Sequence, residues 1–166
     1  MGRYTVRIAK PQHKFAAAHF TIFPDGQAEL LHGHNYRVLV EIEGEADERG
    51  FLVPFHPLKE LLRAACDALD ERVILPAHAQ ELHVARRDGQ VIAELGAREY
   101  RFPEADVVLL PIANVTVEAL AAHLAPQLAA GLLRLVDRAR LDVLRVGVEE
   151  SDGQSACFAV TIARLP

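Results

Sequence analysis

Apolar and polar positions alternate through the first third of the chain with the two-residue period of half-buried strands. Tyr4-Thr5-Val6-Arg7-Ile8 is the first such stretch; Pro11 interrupts it, and extended structure resumes over Phe15-Ala16-Ala17-Ala18-His19-Phe20. Pro24-Asp25-Gly26 signals a loop. A longer strand then runs from His32-Gly33-His34-Asn35-Tyr36 through Arg37-Val38-Leu39-Val40-Glu41-Ile42-Glu43 to Gly44, and the polar residues 45–50 turn the chain. These segments predict a long antiparallel hairpin.

The period then changes. Pro57 suits the first turn of a helix, and Leu58, Leu61, Leu62, Ala65, Cys66 and Leu69 recur at three- and four-residue spacing until about Asp70. A second helix is predicted from about Thr116, with Leu120, Ala121, Leu124 and Leu128 on one stripe; Pro126 should kink it and Gly131 should loosen its end. The last strands are predicted over Leu141 to Glu150 and Ala156 to Ala163, joined by Ser151-Asp152-Gly153-Gln154. This order implies an α+β fold, a four-stranded antiparallel sheet with both helices on one face. An insertion at about residues 77–111 reads as a β-flap. Leu82 to Arg86 and Val91 to Glu94 flank the hairpin signal Asp88-Gly89, and Tyr100-Arg101-Phe102 offers a third strand. The flap is either inert edge cover or a lid.

With 166 residues, 51% of them hydrophobic, the chain is expected to form a single domain over 1–166 with a substantial core. No run approaches the roughly 18 to 20 apolar residues of a membrane span, and Met1-Gly2-Arg3-Tyr4 lacks a signal-peptide hydrophobic region, so a cytoplasmic location is expected. A formal charge of −5 with both signs interspersed gives no basic footprint for nucleic acid and favours a small-molecule partner. The two cysteines, Cys66 and Cys157, read as reduced core residues.

Candidate chemistry centres on the third strand. Side chains two apart share a face, so His32 and His34 present two imidazoles side by side, and His19 is the best third ligand. Three neutral imidazoles with an open fourth position describe a catalytic zinc site.

Together these residues carry a resemblance. Phe15-Ala16-Ala17-Ala18-His19 followed by His32-Gly33-His34-Asn35-Tyr36 resembles the 6-pyruvoyltetrahydropterin synthase and 6-carboxytetrahydropterin synthase family. Residues 50–59 resemble its Gly-x-hydrophobic-hydrophobic-Asp-Phe-x-x-Leu-Lys. Leu69-Asp70-Glu71-Arg72 sits where it has Leu-Asp-His. Val115-Thr116-Val117-Glu118-Ala119-Leu120-Ala121 is similar to its Pro-Thr-x-Glu-Asn-Leu-Ala, and Val148-Glu149-Glu150-Ser151 to its Val-x-Glu-Thr. The similarity spans about residues 4–76 and 112–162.

The resemblance implies the tunnelling fold (T-fold), homo-oligomers that are commonly hexamers with active sites between subunits, zinc on His19, His32 and His34, and a pterin substrate. Glu150 matches the family's pterin-anchoring glutamate, since one carboxylate can accept both the ring N3–H and the 2-amino group. Its neighbour Glu149 is expected to face the other side of the sheet. Thr116 and Ser151 match threonines that would add contacts.

The synthases' cysteine before His-Gly-His is absent. Glu29, three residues before His32, resembles a glutamate variant of the family associated with cleaving dihydroneopterin triphosphate to 6-hydroxymethyl-dihydropterin. The Asp-His pair is replaced by Asp70-Glu71, which act as acid and base or simply flank the helix end; His78 and His83 are other sources of an imidazole. A carbon–carbon lyase is therefore the expected activity. The alternatives are a 6-pyruvoyl- or 6-carboxy-tetrahydropterin synthase and a non-catalytic pterin-binding homologue.

Overall fold

The computed structural model describes residues 2–164; Met1 and residues 165–166, the ends of the expected domain, lie outside them. In chain order the elements are β1 (Arg3–Ile8), β2 (Lys14–His19), β3 (His32–Glu45), α1 (Phe55–Asp67), β4 (Arg72–Pro76), β5 (Leu82–Arg87), β6 (Gln90–Leu95), β7 (Arg98–Pro103), β8 (Val107–Leu110), α2 (Val117–Leu132), β9 (Leu141–Ser151) and β10 (Gln154–Thr161).

The alternation that predicts β3 also makes it the axis of the sheet. Its 14 residues pair antiparallel with β2 over one half (Lys14↔Arg37 to His19↔His32) and with β1 over the other (Arg3↔Glu45 to Ile8↔Val40). Strand β9 lies along the opposite edge, from Arg37↔Glu149 to Gly44↔Leu141, and β10 pairs with β9. Tyr36, Val38, Val40 and Ile42 of β3 share a core with Leu144, Val146 and Val148 of β9, Leu58 and Leu62 of α1, and Leu120 and Leu124 of α2. Both helices therefore cover one face.

The sheet is larger than expected and is mixed. It has seven strands, because β4 joins β2 in parallel (Ala17↔Arg72) and β8 joins β4 in parallel (Val73↔Val107). This corrects the four-stranded antiparallel prediction, and the reason is physical. Strands in parallel pairs need a crossover, which runs through α1 between β2 and β4 and through β5, β6 and β7 between β4 and β8, and they read as continuous apolar runs without a two-residue period. Val73-Ile74-Leu75 and Val107-Val108-Leu109-Leu110 are such runs, so β4 was not predicted and β8 fell within the expected insertion.

Helix α1 starts at Phe55, before Pro57, and stops at Asp67 rather than near Asp70. Helix α2 continues through Pro126 to Leu132. Gly131 is buried, and a Cβ there would lie 2.9 Å from Leu61 Cδ1, so this glycine permits close approach of the helices.

Strands β5, β6 and β7 form the separate three-stranded flap. Asp88 (φ 51°) and Gly89 (φ 73°) both take the left-handed conformation that a tight two-residue hairpin turn requires. One cysteine departs from expectation: Cys66 is buried and free, whereas Cys157 is free but exposed. It pairs with Gly147 across β10 and β9 and so faces away from the helix-covered core. Among the described residues, no helix is long and apolar enough to cross a membrane.

Candidate metal and active site

Antiparallel pairing of β2 with β3 sets His19 directly opposite His32, and the strand period puts His34 and Tyr36 on the same face. Ring centroids are 4.7 Å apart for His19–His32, 4.8 Å for His32–His34 and 5.4 Å for His19–His34. One nitrogen from each ring lies within 4.8 Å of the others. Donors round a tetrahedral ion at zinc–nitrogen lengths stand about 3.4 Å apart, a spacing that modest side-chain rotations would give the three nitrogens.

The burial of His19 makes the case for a metal stronger. It is 1% exposed, and among the described residues neither ring nitrogen has a hydrogen-bond partner. An unsatisfied buried imidazole is costly, and ligating an ion removes that cost. Burial lowers the His19 pKa below the ordinary histidine value, and the neighbouring His32 and His34 lower it further against the opposing pull of Glu150 and Glu29. This favours the neutral, ligating form. Nδ1 of His32 is 2.8 Å from the Leu30 carbonyl; a proton on that nitrogen leaves Nε2 as the donor to a metal.

A carboxylate arrives from β9. Glu150 follows Val146 and Val148 on the core-facing side, and its Oε1 lies 3.4 Å from Nε2 of His19 and 3.3 Å from Nε2 of His34. The Tyr36 hydroxyl donates to the same oxygen at 3.3 Å. Burial first, and then the Glu150 charge, push the Tyr36 pKa well above that of a free phenol. Glu149 faces the other way and pairs with Arg37 at 2.6 Å, as strand parity predicts.

Glu29 sits on the loop between β2 and β3, with Oε2 4.0 Å from Nε2 of His32. It is doubly tied to Thr21: its carboxylate accepts from the Thr21 N–H at 3.0 Å, and its own N–H donates to the Thr21 carbonyl at 3.0 Å. Asn114 fixes the adjoining residue through both backbone groups, accepting from the Ile22 N–H at 3.0 Å and donating to the Ile22 carbonyl at 2.7 Å. Partial burial tends to raise the Glu29 pKa; the bonds from Thr21, with His32 and His19, more than offset this and leave it below the ordinary value.

Other expected site residues are engaged in contacts of their own. Asp70 Oδ1 accepts from the Ala16 N–H at 2.7 Å, and the Glu71 N–H donates to the Ala16 carbonyl at 2.8 Å, with Glu71 at φ 56°. The pair thus docks the turn after α1 onto β2. Among the described residues neither carboxylate contacts the three histidines. Glu71 lines a cleft of about 460 Å³ that His34 also lines, with Ala16, Gly33, Asn35 and Asp106. Thr116 caps α2, accepting from the Ala119 N–H at 3.2 Å, and the Ser151 hydroxyl donates to Gln154 Oε1 at 2.9 Å. His78 and His83 make no contact with the triad among the described residues. Burial, then Asp67 and Asp70, push the Cys66 thiol up to about 12, as suits an inert core group.

Tyr36, Thr21 and Asn114 were not singled out from the sequence. Tyr36 was within reach, since the period that pairs His32 with His34 continues to it. Thr21 and Asn114 act through contacts that no local pattern reveals.

The chain is similar to known proteins in sequence and in fold. The family model for 6-pyruvoyl tetrahydropterin synthase matches residues 8–160. A Methanocaldococcus jannaschii protein, provisionally named a 6-carboxy-5,6,7,8-tetrahydropterin synthase, is 33% identical over 146 residues, 87% of this chain and 88% of its own length. A Pyrococcus abyssi protein with the same provisional name is 36% identical over 109 residues, 65% of this chain and 64% of its own. The crystal structure of Plasmodium vivax 6-pyruvoyl tetrahydropterin synthase is similar with a TM-score of 0.92 at 29% identity, covering 97% of this chain and 99% of that one. A variant of that enzyme, in which a glutamate described as a catalytic residue is replaced by alanine, has the same TM-score of 0.92 at 28% identity over the same shares, 97% and 99%. With a family model spanning nearly its whole length, the chain belongs to the 6-pyruvoyl tetrahydropterin synthase family.

Proposed function

We propose that the chain is a zinc-dependent pterin lyase in which Glu29 moves the protons, cleaving the side chain of dihydroneopterin or its triphosphate to leave 6-hydroxymethyl-dihydropterin. The observation that carries this reading is the Glu29 carboxylate 4.0 Å from Nε2 of His32, at a site where neither free cysteine lies. The glutamate described as catalytic in the Plasmodium vivax relative supports it.

Zinc held by His19, His32 and His34 would polarise the substrate's side-chain hydroxyls and ease their deprotonation. The Thr21 N–H fixes one oxygen of Glu29, leaving the carboxylate aimed and ionised. It takes the proton from the hydroxyl on the second side-chain carbon. The bond between the first and second carbons breaks, its electron pair passes into the dihydropterin ring, and a two-carbon aldehyde leaves. Glu29 then returns the proton to the first carbon, which becomes the hydroxymethyl group. Glu150 holds the ring by accepting from N3–H and the 2-amino group, with Tyr36 orienting the carboxylate from behind. Asp70 and Glu71, which do not contact the triad of their own chain among the described residues, would serve the histidines of a neighbouring subunit in a homo-oligomer that brings them together.

A second reading, 6-carboxytetrahydropterin synthase, is favoured by the names of the archaeal relatives at 33% and 36% identity. Those names point to it more directly than to the cleavage reaction. What favours cleavage is the carboxylate in place of a thiol.

The test is Glu29→Gln, which keeps the size of the side chain and an acceptor for the Thr21 N–H. Removing a general base should cut turnover by roughly 10²- to 10⁴-fold while metal content and pterin binding persist. Unchanged turnover would remove Glu29 from the chemistry.

A further inference from the structure

The flap has its own small core, and the loop that carries Glu29 is part of it. Leu82, Val91, Ala93 and Leu95 of the flap are buried against Phe20, Ile22 and Leu75. Ala28 and Leu31, on either side of Glu29, pack on the same cluster, and Tyr100 stacks on Phe20 with centroids 5.5 Å apart. A bridge between Ile22 and Ala28 closes the loop at its base. The flap therefore grips both arms of this loop.

Within the loop, one apolar side chain lies outside this core. Leu30 is 74% exposed, so its own side chain does not help to fix the peptides on either side of it, although the Leu30 carbonyl faces Nδ1 of His32. Thr21 ties the N–H and the carboxylate of Glu29, which leaves its carbonyl as the remaining handle. The flap reaches it. Gly96, at φ 58°, turns the chain between β6 and β7, and Arg98, the first residue of β7, donates from Nη1 to the Glu29 carbonyl at 2.7 Å.

We propose that Arg98 is a positioning residue for Glu29, and that the flap is a brace for the catalytic loop. This rests on the reading of Glu29 given above. With Arg98 in place, Glu29 is held at its carbonyl while Thr21 holds its N–H and its carboxylate, so the carboxylate and the Leu30 carbonyl keep their aim at His32. Without it, the peptide between Glu29 and the exposed Leu30 loses its bond on the carbonyl side and can tilt between the anchors at Ala28 and Leu31, and the base leaves its reacting geometry. Displacement of about 1 Å is enough to cost roughly 10²-fold in rate.

The experiment compares Arg98→Ala and Arg98→Lys with the wild type as metal-loaded full chains, on dihydroneopterin triphosphate and on the dephosphorylated substrate. Arg98→Ala should lower kcat by roughly 10- to 100-fold, with KM for both substrates within about twofold and with bound metal unchanged. Arg98→Lys should recover part of the loss, since an ammonium can donate to the same carbonyl. Independently of turnover, amide hydrogen exchange over residues 27–31 should quicken in Arg98→Ala and slow again in Arg98→Lys.

Unchanged kcat in Arg98→Ala would overturn the proposal. So would a raised KM for the triphosphate alone, which would make Arg98 a phosphate contact. Glu29→Gln assayed alongside separates the two layers. Turnover lost in Glu29→Gln but kept in Arg98→Ala defeats only the brace, whereas turnover kept in Glu29→Gln defeats the reading beneath it.

Discussion

Replacing Tyr36 by Phe removes one hydroxyl from the floor of the site and leaves almost everything else in place. The ring is fully buried, stacked on Phe15 with centroids 4.9 Å apart, and lies 5.8 Å from His19 and 5.9 Å from His34; phenylalanine preserves each contact. What goes is the bond donated to Glu150 Oε1, at 3.3 Å. Hydrogen bonds to charged groups contribute about 1.5 to 3 kcal/mol, and this one is longer than the usual O–H···O range, so about 1.5 kcal/mol is the appropriate figure. The Glu150 side chain is 25% exposed, so water can reach the released oxygen and folding should suffer less than ligand binding.

If Tyr36 orients Glu150 towards the pterin, the dissociation constant should rise by roughly tenfold. Because burial and Glu150 raise the phenol's pKa, the hydroxyl stays protonated below its ordinary value of 10.0, and the ratio between variant and wild type should not change over roughly pH 6 to 9. Calorimetric titration with dihydroneopterin, in a Glu29→Gln background so that the ligand persists, measures this directly. An unchanged dissociation constant in a normally folded variant would refute the orienting role.

Two further predictions concern stability. Gly44→Ala places a Cβ overlapping the Arg140 carbonyl oxygen and 3.0 Å from Leu52 Cδ1; since the first of these is backbone, the cost should be about 3 kcal/mol. For a chain of this length that is roughly 6 to 12 °C in Tm, and a melting temperature within about 2 °C of wild type would contradict it. His13 is fully buried, and among the described residues neither ring nitrogen has a partner. Burial, followed by Arg63, Lys10 and Lys59, lowers its pKa below 6.5. The unfolded chain then binds the proton more readily, so stability is complete above about pH 6.5 and falls as the pH drops towards the lowered folded value. Denaturant titrations should show a smaller acid loss in His13→Phe than in wild type, and equal losses would exclude His13 as a source.

The parts of the fold that were legible in the sequence are those with a period. Alternation through β3 put His32, His34, Tyr36 and Val38 on one face, and the same parity separated Glu150 from Glu149 on β9. What had no period was missed: β4 and β8 are short apolar runs in parallel pairs, indistinguishable locally from buried connections. Cys157 looked apolar in context, but its place on the outer strand β10 exposes it. At the site, the histidines and Glu29 were readable because they cluster in sequence. Thr116 and Ser151 are occupied by local capping and turn bonds, and Asp70 and Glu71 are tied to β2, none of which a motif discloses. Arg98 meets Glu29 across 69 residues of chain, through a hairpin whose strands were visible but whose docking was not.

The most direct measurement is to incubate the zinc-loaded protein with dihydroneopterin triphosphate, and with dihydroneopterin itself, and to identify the pterin products by mass. The account predicts 6-hydroxymethyl-dihydropterin, formed only with metal bound and with Glu29 intact. A 6-carboxytetrahydropterin product would contradict the cleavage reaction in favour of the synthase, and recovery of both pterins unchanged would contradict the assignment of this site to pterin chemistry.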